Sequence, residues 1–146
     1  MKLYWPVLAL LCLFLAACGH DDQAKVTQKT ETQTLTADIY ERMGNVQNVE
    51  KPPMEQLQHI KLTLDVSNFD ELDRPEIVVD ENVRTLFGND YWYGSYKMEN
   101  GHYEYEMIVD AAISEKQIKE KLKQMHYTVI WYNGDDKQKK NGHFGH

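Results

Sequence analysis

Alternating apolar and polar residues on both sides of Asn100 and Gly101 form the clearest pattern in this chain. An Asn-Gly pair between two alternating runs is typical of a β-hairpin, because both residues accept the positive φ angles of a tight turn. The turn fixes the register, so Met98 faces Tyr103, and Lys97 faces the oppositely charged Glu104. The same register pairs Glu99 with His102, Ser95 with Glu106, Tyr96 with Tyr105 and Trp92 with Val109. We expect Trp92, Tyr96 and Tyr105 to fill the core beneath the helix that follows Ser114.

Three other segments carry patterns typical of strands. Every second residue from Ile60 to Val66 is aliphatic, which predicts a strand with one buried face. Residues 76–80 and 127–133 are rich in residues that favour extended backbone, and they predict two further strands.

The clearest helix signal is Ser114 with Gln117 three residues later, a capping box at a helix N-terminus. The residues that follow place Ile118, Leu122 and Met125 on one buried stripe. Shorter helices are predicted from Thr36 to a stop at Gly44, and at residues 81–87 before Gly88.

These elements predict an α+β fold: a mainly antiparallel sheet of four or five strands with one long helix packed on a face. The order of strand, helix and strand after Tyr91 favours a right-handed crossover, provided that the two strands are parallel. We expect a single domain at residues 37–133. A flexible tether at residues 18–36 precedes it, and a mobile polar tail at residues 134–146 follows it.

The first 18 residues follow a different pattern. Lys2 is followed by a nearly continuous apolar run of about 15 residues, which is short for a bilayer span of ~20. The run ends in Leu15, Ala16, Ala17 and Cys18, and this sequence resembles the lipobox of bacterial lipoproteins. The resemblance covers residues 2–18 only, and we recognise no family for the mature domain.

The resemblance implies that residues 1–17 are a signal peptide that is removed, and that Cys18 carries acyl chains anchoring the protein to a membrane. In Gram-negative bacteria it also implies a sorting rule. Because Gly19 rather than Asp follows the cysteine, the expected address is the periplasmic face of the outer membrane. The alternatives are an uncleaved membrane anchor and a plain secretory signal that leaves Cys18 as a free thiol.

Composition narrows the function further. The chain has 146 residues and a formal charge of −7, which becomes −8 once Lys2 leaves with the leader. An acidic chain without a basic stripe repels phosphate backbones, so we expect no nucleic acid partner. The mature chain would hold no cysteine except Cys18, which excludes disulfides, a thiol nucleophile and cysteine metal clusters.

No motif indicates a catalytic residue, a metal site or a cofactor. The carboxylates that adjoin in sequence lie in predicted loops, and the serines lack a nucleophile motif. His143 and His146 in the predicted tail lack a fixed third ligand. The candidate binding residues are therefore aromatic: Tyr91 and Tyr93, which we expect to point to water beside Ile108, and Tyr132.

The sequence therefore predicts a non-catalytic envelope lipoprotein that works by contacting another protein. The alternative is a cell-wall module that binds peptidoglycan through Tyr91, Tyr93 and Tyr132. A third hypothesis is a hydrolase whose carboxylates are brought together by the fold. The expected partners are the membrane, through Cys18, and a protein of the envelope.

Overall fold

The computed structural model describes residues 23–43 and 49–146. Cys18 and the predicted helix stop at Gly44 lie outside the described residues. The strands are β1 (Val26–Gln33), β2 (Leu57–Val66), β3 (Asp73–Val79), β4 (Tyr91–Glu99), β5 (His102–Asp110), β6 (His126–Asn133) and β7 (Asp136–His143). The α-helices are α1 (Ala37–Arg42), α2 (Val83–Phe87) and α3 (Glu115–Leu122).

The described strands form two antiparallel sheets. The four-stranded sheet has the order β1-β2-β5-β4, and the three-stranded sheet has the order β3-β6-β7. The α+β class and the antiparallel pairing are confirmed. The single sheet with one long helix is wrong, because β5 and β6 join different sheets and α3 is only eight residues long. The predicted crossover therefore does not form.

Both sheets contribute their inner faces to one core. Leu62, Leu64 and Met107 from the four-stranded sheet are fully buried in the same cluster as Val129 of β6. The predicted helical stripe packs there too, since Ile118 and Leu122 on α3 and Met125 just after it are at most 1% exposed. The Ser114 capping box is present, with the Gln117 amide donating to the Ser114 hydroxyl at 3.2 Å. These α3 predictions are confirmed.

The Asn100-Gly101 hairpin forms in the predicted register up to Tyr93. Lys97 lies opposite Glu104, Tyr96 opposite Tyr105 and Met98 opposite Tyr103. Beyond that point a β-bulge changes the register, so that Tyr91, rather than Trp92, lies opposite Val109. A bulge adds one residue to one strand and turns the following side chains to the other face. The alternation used to sort these aromatic residues therefore fails at Trp92.

The structure differs from the prediction at both ends of the domain. Residues 26–33, within the expected tether, form β1 and pair along β2 from Val26–Val66 to Gln33–His59. Residues 136–143, within the expected tail, form β7 and pair along the whole of β6. Both segments lack an apolar period of their own. Their strand structure comes from hydrogen bonding to a neighbour that the sequence did not assign to them.

Side-chain contacts hold β1 and β7 close to each other. The Gln28 amide donates to the backbone carbonyl of His143 at 2.7 Å, and Lys140 donates to that of Ala24 at 3.0 Å. Phe144, just after β7, is fully buried in the core. Within the described ranges, no helix is both long enough and apolar enough to cross a membrane.

Candidate interaction surface

Four strands lie at the edges of the two sheets: β1 and β4 in one, β3 and β7 in the other. An edge strand exposes unpaired backbone groups that attract other strands, and proteins commonly protect such edges with charged residues or proline. Three of the edges carry these residues. β1 has Lys29 and Glu31, β3 has Pro75, and β7 has lysines at residues 137, 139 and 140.

The edge of β4 is different. Its first six residues, 91–96, carry no formal charge and no proline. Among the residues that the structure describes, β4 pairs only with β5, so one row of its backbone groups has no strand partner. Charge appears only beside the turn, at Lys97 and Glu99. This edge is therefore the least protected of the four.

Two apolar side chains are exposed on the same strand. Tyr96 is 56% exposed and Met98 is 45% exposed, and they share one face because they are two residues apart. The Tyr96 ring stacks on the buried Tyr103 ring at 6.2 Å between centroids. We call Tyr96, Met98 and the unpaired edge of β4 the β4 surface. It is a compact apolar patch beside free backbone hydrogen-bonding groups, the combination that an added strand requires.

The exposed apolar side chains of β4 are not the ones that the sequence predicted. Tyr96 was expected in the core, and Tyr91, Tyr93 and Ile108 were expected to form an exposed patch. Ile108 is fully buried instead, and both tyrosines are half-buried. The expectation for Tyr105 is confirmed, since it is 7% exposed. The exposure of Tyr96 follows from its place at the sheet edge, a position that the hairpin pattern alone does not reveal.

The bulge places Tyr91 and Tyr93 on opposite faces of β4. The Tyr91 side chain packs on the main core. Its hydroxyl hydrogen-bonds to the Tyr105 hydroxyl at 2.9 Å. Burial, with help from this bond, raises the pKa of Tyr105. Gly94 makes the arrangement possible, because a Cβ at residue 94 would overlap both hydroxyl groups.

Tyr93 belongs to a second, smaller cluster on the outer face of the four-stranded sheet. The buried members of this cluster are Leu35, Met43, Leu57 and Ile108, with Trp92 and α1 residues packed around them. Helix α1 begins at its predicted cap, where Thr36 accepts from the Ile39 amide. The Tyr40 hydroxyl then fastens the helix to the Pro52 carbonyl at 2.7 Å. Tyr93 therefore packs beneath a helix and contributes to stability.

The third predicted residue, Tyr132, lies on the other sheet. It alternates with the buried Trp131 on β6 and therefore faces outward, under the Arg74 guanidinium at 4.1 Å from the ring centroid. Arg74 also donates to the Gly134 carbonyl at 2.8 Å. The structure thus places Tyr91, Tyr93 and Tyr132 on three different surfaces and does not bring them together.

Beyond the second cluster, the outer face of the four-stranded sheet is charged. Lys61 and Glu104 form an ion pair at 2.7 Å, which raises the pKa of Lys61 and lowers that of Glu104. At the hairpin end, His102 Nδ1 lies 2.6 Å from an Asp65 carboxylate oxygen, and this bond raises the pKa of His102. Each of these charged groups pairs with a group on the neighbouring strand, as is typical of a sheet face that is exposed to solvent.

His59 lies on the same face but is only 1% exposed. Burial lowers its pKa, while Glu106, 3.9 Å from Nε2, opposes that shift. Neither ring nitrogen has a hydrogen-bond partner among the described residues. A buried imidazole of this kind is most stable when neutral, so it makes this face sensitive to acid.

The hydrolase hypothesis requires ionisable groups that face one another in a partly dry cleft. An open groove of about 520 Å³ lies between α3 and the last residues of the chain. Its carboxylates pair with lysines, Glu115 with Lys119 at 2.9 Å and Glu120 with Lys123 at 2.7 Å. The hydrogen bond from Lys123 lowers the pKa of Glu120, whereas a general acid requires a raised pKa.

No protein-family model matches this chain, and a search of curated proteins finds no significant similarity.

Proposed function

We propose that this protein is a non-catalytic lipoprotein of the bacterial envelope, anchored through Cys18, that binds an extended segment of another envelope protein along β4. The β4 surface is the observation that carries the proposal. It joins an uncharged, unpaired strand edge to two exposed apolar side chains, Tyr96 and Met98. In a host with two membranes, the expected address is the periplasmic face of the outer membrane.

A protein segment is favoured over other occupants by charge. The mature chain would carry a formal charge of −8, which disfavours a second copy of itself and an anionic lipid surface. Backbone hydrogen bonds along the edge of β4 would supply affinity, and the Tyr96 and Met98 side chains would supply specificity. The partner would then become the fifth strand of the four-stranded sheet.

The position of the anchor at Cys18 would limit the distance between the domain and the membrane. Ala24 is 1% exposed, so only residues 19–23 separate Cys18 from the packed domain. Five extended residues span at most about 18 Å. This tether is much shorter than the sequence suggested, and it would hold the domain close to the membrane.

The tether would also fix which end of the domain faces the lipid. Val26 pairs with Val66, whose amide donates to the Gly101 carbonyl at 2.8 Å. The hairpin turn therefore lies at the anchored end of the domain, and β4 leads from Met98 away from the membrane.

The binding test uses matched lysine variants. Tyr96→Lys and Met98→Lys add a charge to the β4 surface, while Val78→Lys adds one to β3 at a side chain that is also 45% exposed. In affinity capture from detergent-solubilised envelopes, we expect the two β4 variants to lose a protein that wild type and Val78→Lys retain. Equal retention by all four proteins would contradict the assignment of this surface.

A photo-crosslinking amino acid at residue 98 or 78 identifies the occupant. Crosslinks from residue 98 to one envelope protein, absent from residue 78, would support strand capture. A crosslink to a second copy of the chain or to lipid would refute it. Retention on purified peptidoglycan that is insensitive to the β4 variants would favour the glycan alternative.

The anchor has its own test. Mass spectrometry of the purified protein should find a chain that begins at Cys18 and carries acyl groups, and Cys18→Ser should release the protein from membranes. An intact N-terminal methionine or an unmodified sulfur at residue 18 would remove the anchor from the proposal, while leaving the β4 test unaffected.

A further inference from the structure

Three histidines come together at the end of β7. His126 on β6 lies directly opposite His143 on β7, and their ring centroids are 6.4 Å apart. The His146 ring lies 4.5 Å from the His143 ring. In sequence, His143 and His146 stand in an apparent tail without a third ligand. The β6–β7 ladder supplies that third imidazole.

The backbone that carries these side chains is fixed. Phe144 is fully buried, and its amide donates to the Met125 carbonyl at 3.0 Å. Gly145, at φ +85°, lies against the backbone of α3, where a Cβ would overlap the Lys119 carbonyl oxygen. His143 and His146 therefore lie on either side of an anchored turn, and His126 lies on a central strand.

A hydrogen bond prepares His143 as a ligand. Its Nδ1 lies 2.9 Å from the Phe144 carbonyl oxygen. When Nδ1–H donates to that carbonyl, the proton is held on Nδ1, and Nε2 keeps its lone pair for a metal ion. Metal-binding histidines in proteins commonly donate their second nitrogen to a backbone carbonyl in this way.

We propose that His126, His143 and His146 form a surface site for a divalent transition metal ion, with His143 as the central ligand. Imidazole nitrogens suit the late first-row metals, and among these Cu²⁺ binds most tightly. On a tetrahedral ion such as Zn²⁺, two imidazoles have centroids about 5 Å apart, given metal–nitrogen bonds of ~2.0 Å. The observed separations of 4.5 and 6.4 Å lie on either side of this value.

The site is not preassembled. Among residues 23–43 and 49–146, no three His, Cys, Asp or Glu side chains already converge as metal ligands. The His143 and His146 rings are tilted by 33°, and His126 meets His143 edge-on at 86°. Ring rotation about the side-chain torsions must therefore accompany binding. His126 and His146 are exposed and free to rotate without disturbing the core.

The test is titration of the purified full chain with Cu²⁺, followed by calorimetry and electron paramagnetic resonance. We expect one ion per chain with hyperfine coupling to more than one nitrogen. Loss of a ligand should cost more than loss of its hydrogen-bond partner, so His143→Asn should weaken binding by about tenfold or more. His126→Asn and His146→Asn should each weaken binding and reduce the number of coupled nitrogens.

His102→Asn is the matched control, because His102 also sits at a strand end but faces Asp65 on the other sheet. It should leave the affinity unchanged. Repeating the titration in a Cys18→Ser chain excludes a thiol ligand. Equal affinity in wild type and His143→Asn, or an equal loss in His102→Asn, would overturn the site. Circular dichroism of each variant verifies that the fold is intact.

Discussion

The edge strands β4 and β7 differ in their protection against pairing with other strands. β7 consists almost wholly of polar residues, including three lysines, and it is held in place by its neighbour β6 and by Phe144 in the core. β4 is aromatic and uncharged over six residues, and it leaves Tyr96 and Met98 in solvent. The lysine-bearing edge excludes other strands and the aromatic edge does not. The difference separates a structural edge from one that is open to a partner.

The comparison also shows two sources of strand formation. β4 forms beside a turn whose Asn-Gly sequence directs the chain into a hairpin. β7 follows a turn at Gly134, which has a φ of +61°, but its own residues carry no apolar alternation. Its buried anchor, Phe144, lies beyond its last paired residue.

The largest effect is expected at Phe144. Phe144→Ala removes a fully buried ring and should lower the free energy of unfolding by about 3–5 kcal/mol. Tyr96→Ala on the exposed β4 surface should lower it by less than about 1 kcal/mol. Urea denaturation measures both values. A loss below about 1 kcal/mol for Phe144→Ala would mean that residues 134–146 behave as the tail that the sequence suggested.

An intermediate effect is expected at one glycine in each edge. A Cβ at Gly142 would overlap the Tyr127 ring, and one at Gly94 would overlap the Tyr91 and Tyr105 hydroxyls. Each alanine variant should therefore lose about 1–3 kcal/mol of unfolding free energy, measured by urea denaturation. Adding Tyr91→Phe should recover part of the loss at Gly94 only. If an alanine variant keeps the full free energy of unfolding, the tyrosine side chains next to that residue move aside without cost.

The β4–β5 hairpin end should respond to pH through His102. The bond to Asp65 raises the pKa of His102 in the folded state. Its contribution to the free energy of unfolding is therefore fully present below pH 6.5, the ordinary pKa of histidine. It is lost as pH rises through the raised pKa. In urea denaturation across this range, His102→Asn should cost most at low pH and least at high pH. An Asp65→Asn background should abolish the difference; a cost independent of pH would contradict this linkage.

His59 should respond in the opposite direction. Burial lowers the pKa of His59 in the folded state. Its contribution to the free energy of unfolding is therefore fully present above pH 6.5, and it falls below that pH because the unfolded chain takes up the proton first. Wild type should therefore lose stability on acidification through this window, and His59→Leu should lose less. Parallel pH profiles in the two proteins would show that Glu106 compensates for the burial of the imidazole.

The smallest effect on stability is expected from the lysines of β7. Replacing Lys137 and Lys139 with Thr should change the free energy of unfolding by less than about 0.5 kcal/mol, because both side chains are exposed. It should nevertheless increase self-association, measured by analytical ultracentrifugation, since the charges protect the edge. The matched change at β4, Ser95→Lys, should reduce partner binding. If the protein with Thr at residues 137 and 139 stays monomeric, the contrast between the two edges is weakened.

The sequence determined the elements whose signals are local. The Asn100-Gly101 turn fixes its own register, and the Ser114 capping box lies beside the apolar stripe of α3. The alternating residues before Val66 and the turn of helix ending at Gly88 were also recognised. In each case, the residues that favour the element lie within a few positions of one another, so no distant partner is needed to predict it.

Only the tertiary structure decided the sheets, the edges and both candidate sites. β1 and β7 are strands because β2 and β6 supply their hydrogen bonds, and no pattern within residues 26–33 or 136–143 encodes those partners. The bulge at Trp92 reversed the faces of Tyr91 and Trp92, and the sheet edge exposed Tyr96. Residues 136–143 carry no alternating pattern that would reveal their pairing with β6, so the chain alone cannot show that His126 faces His143 across a ladder.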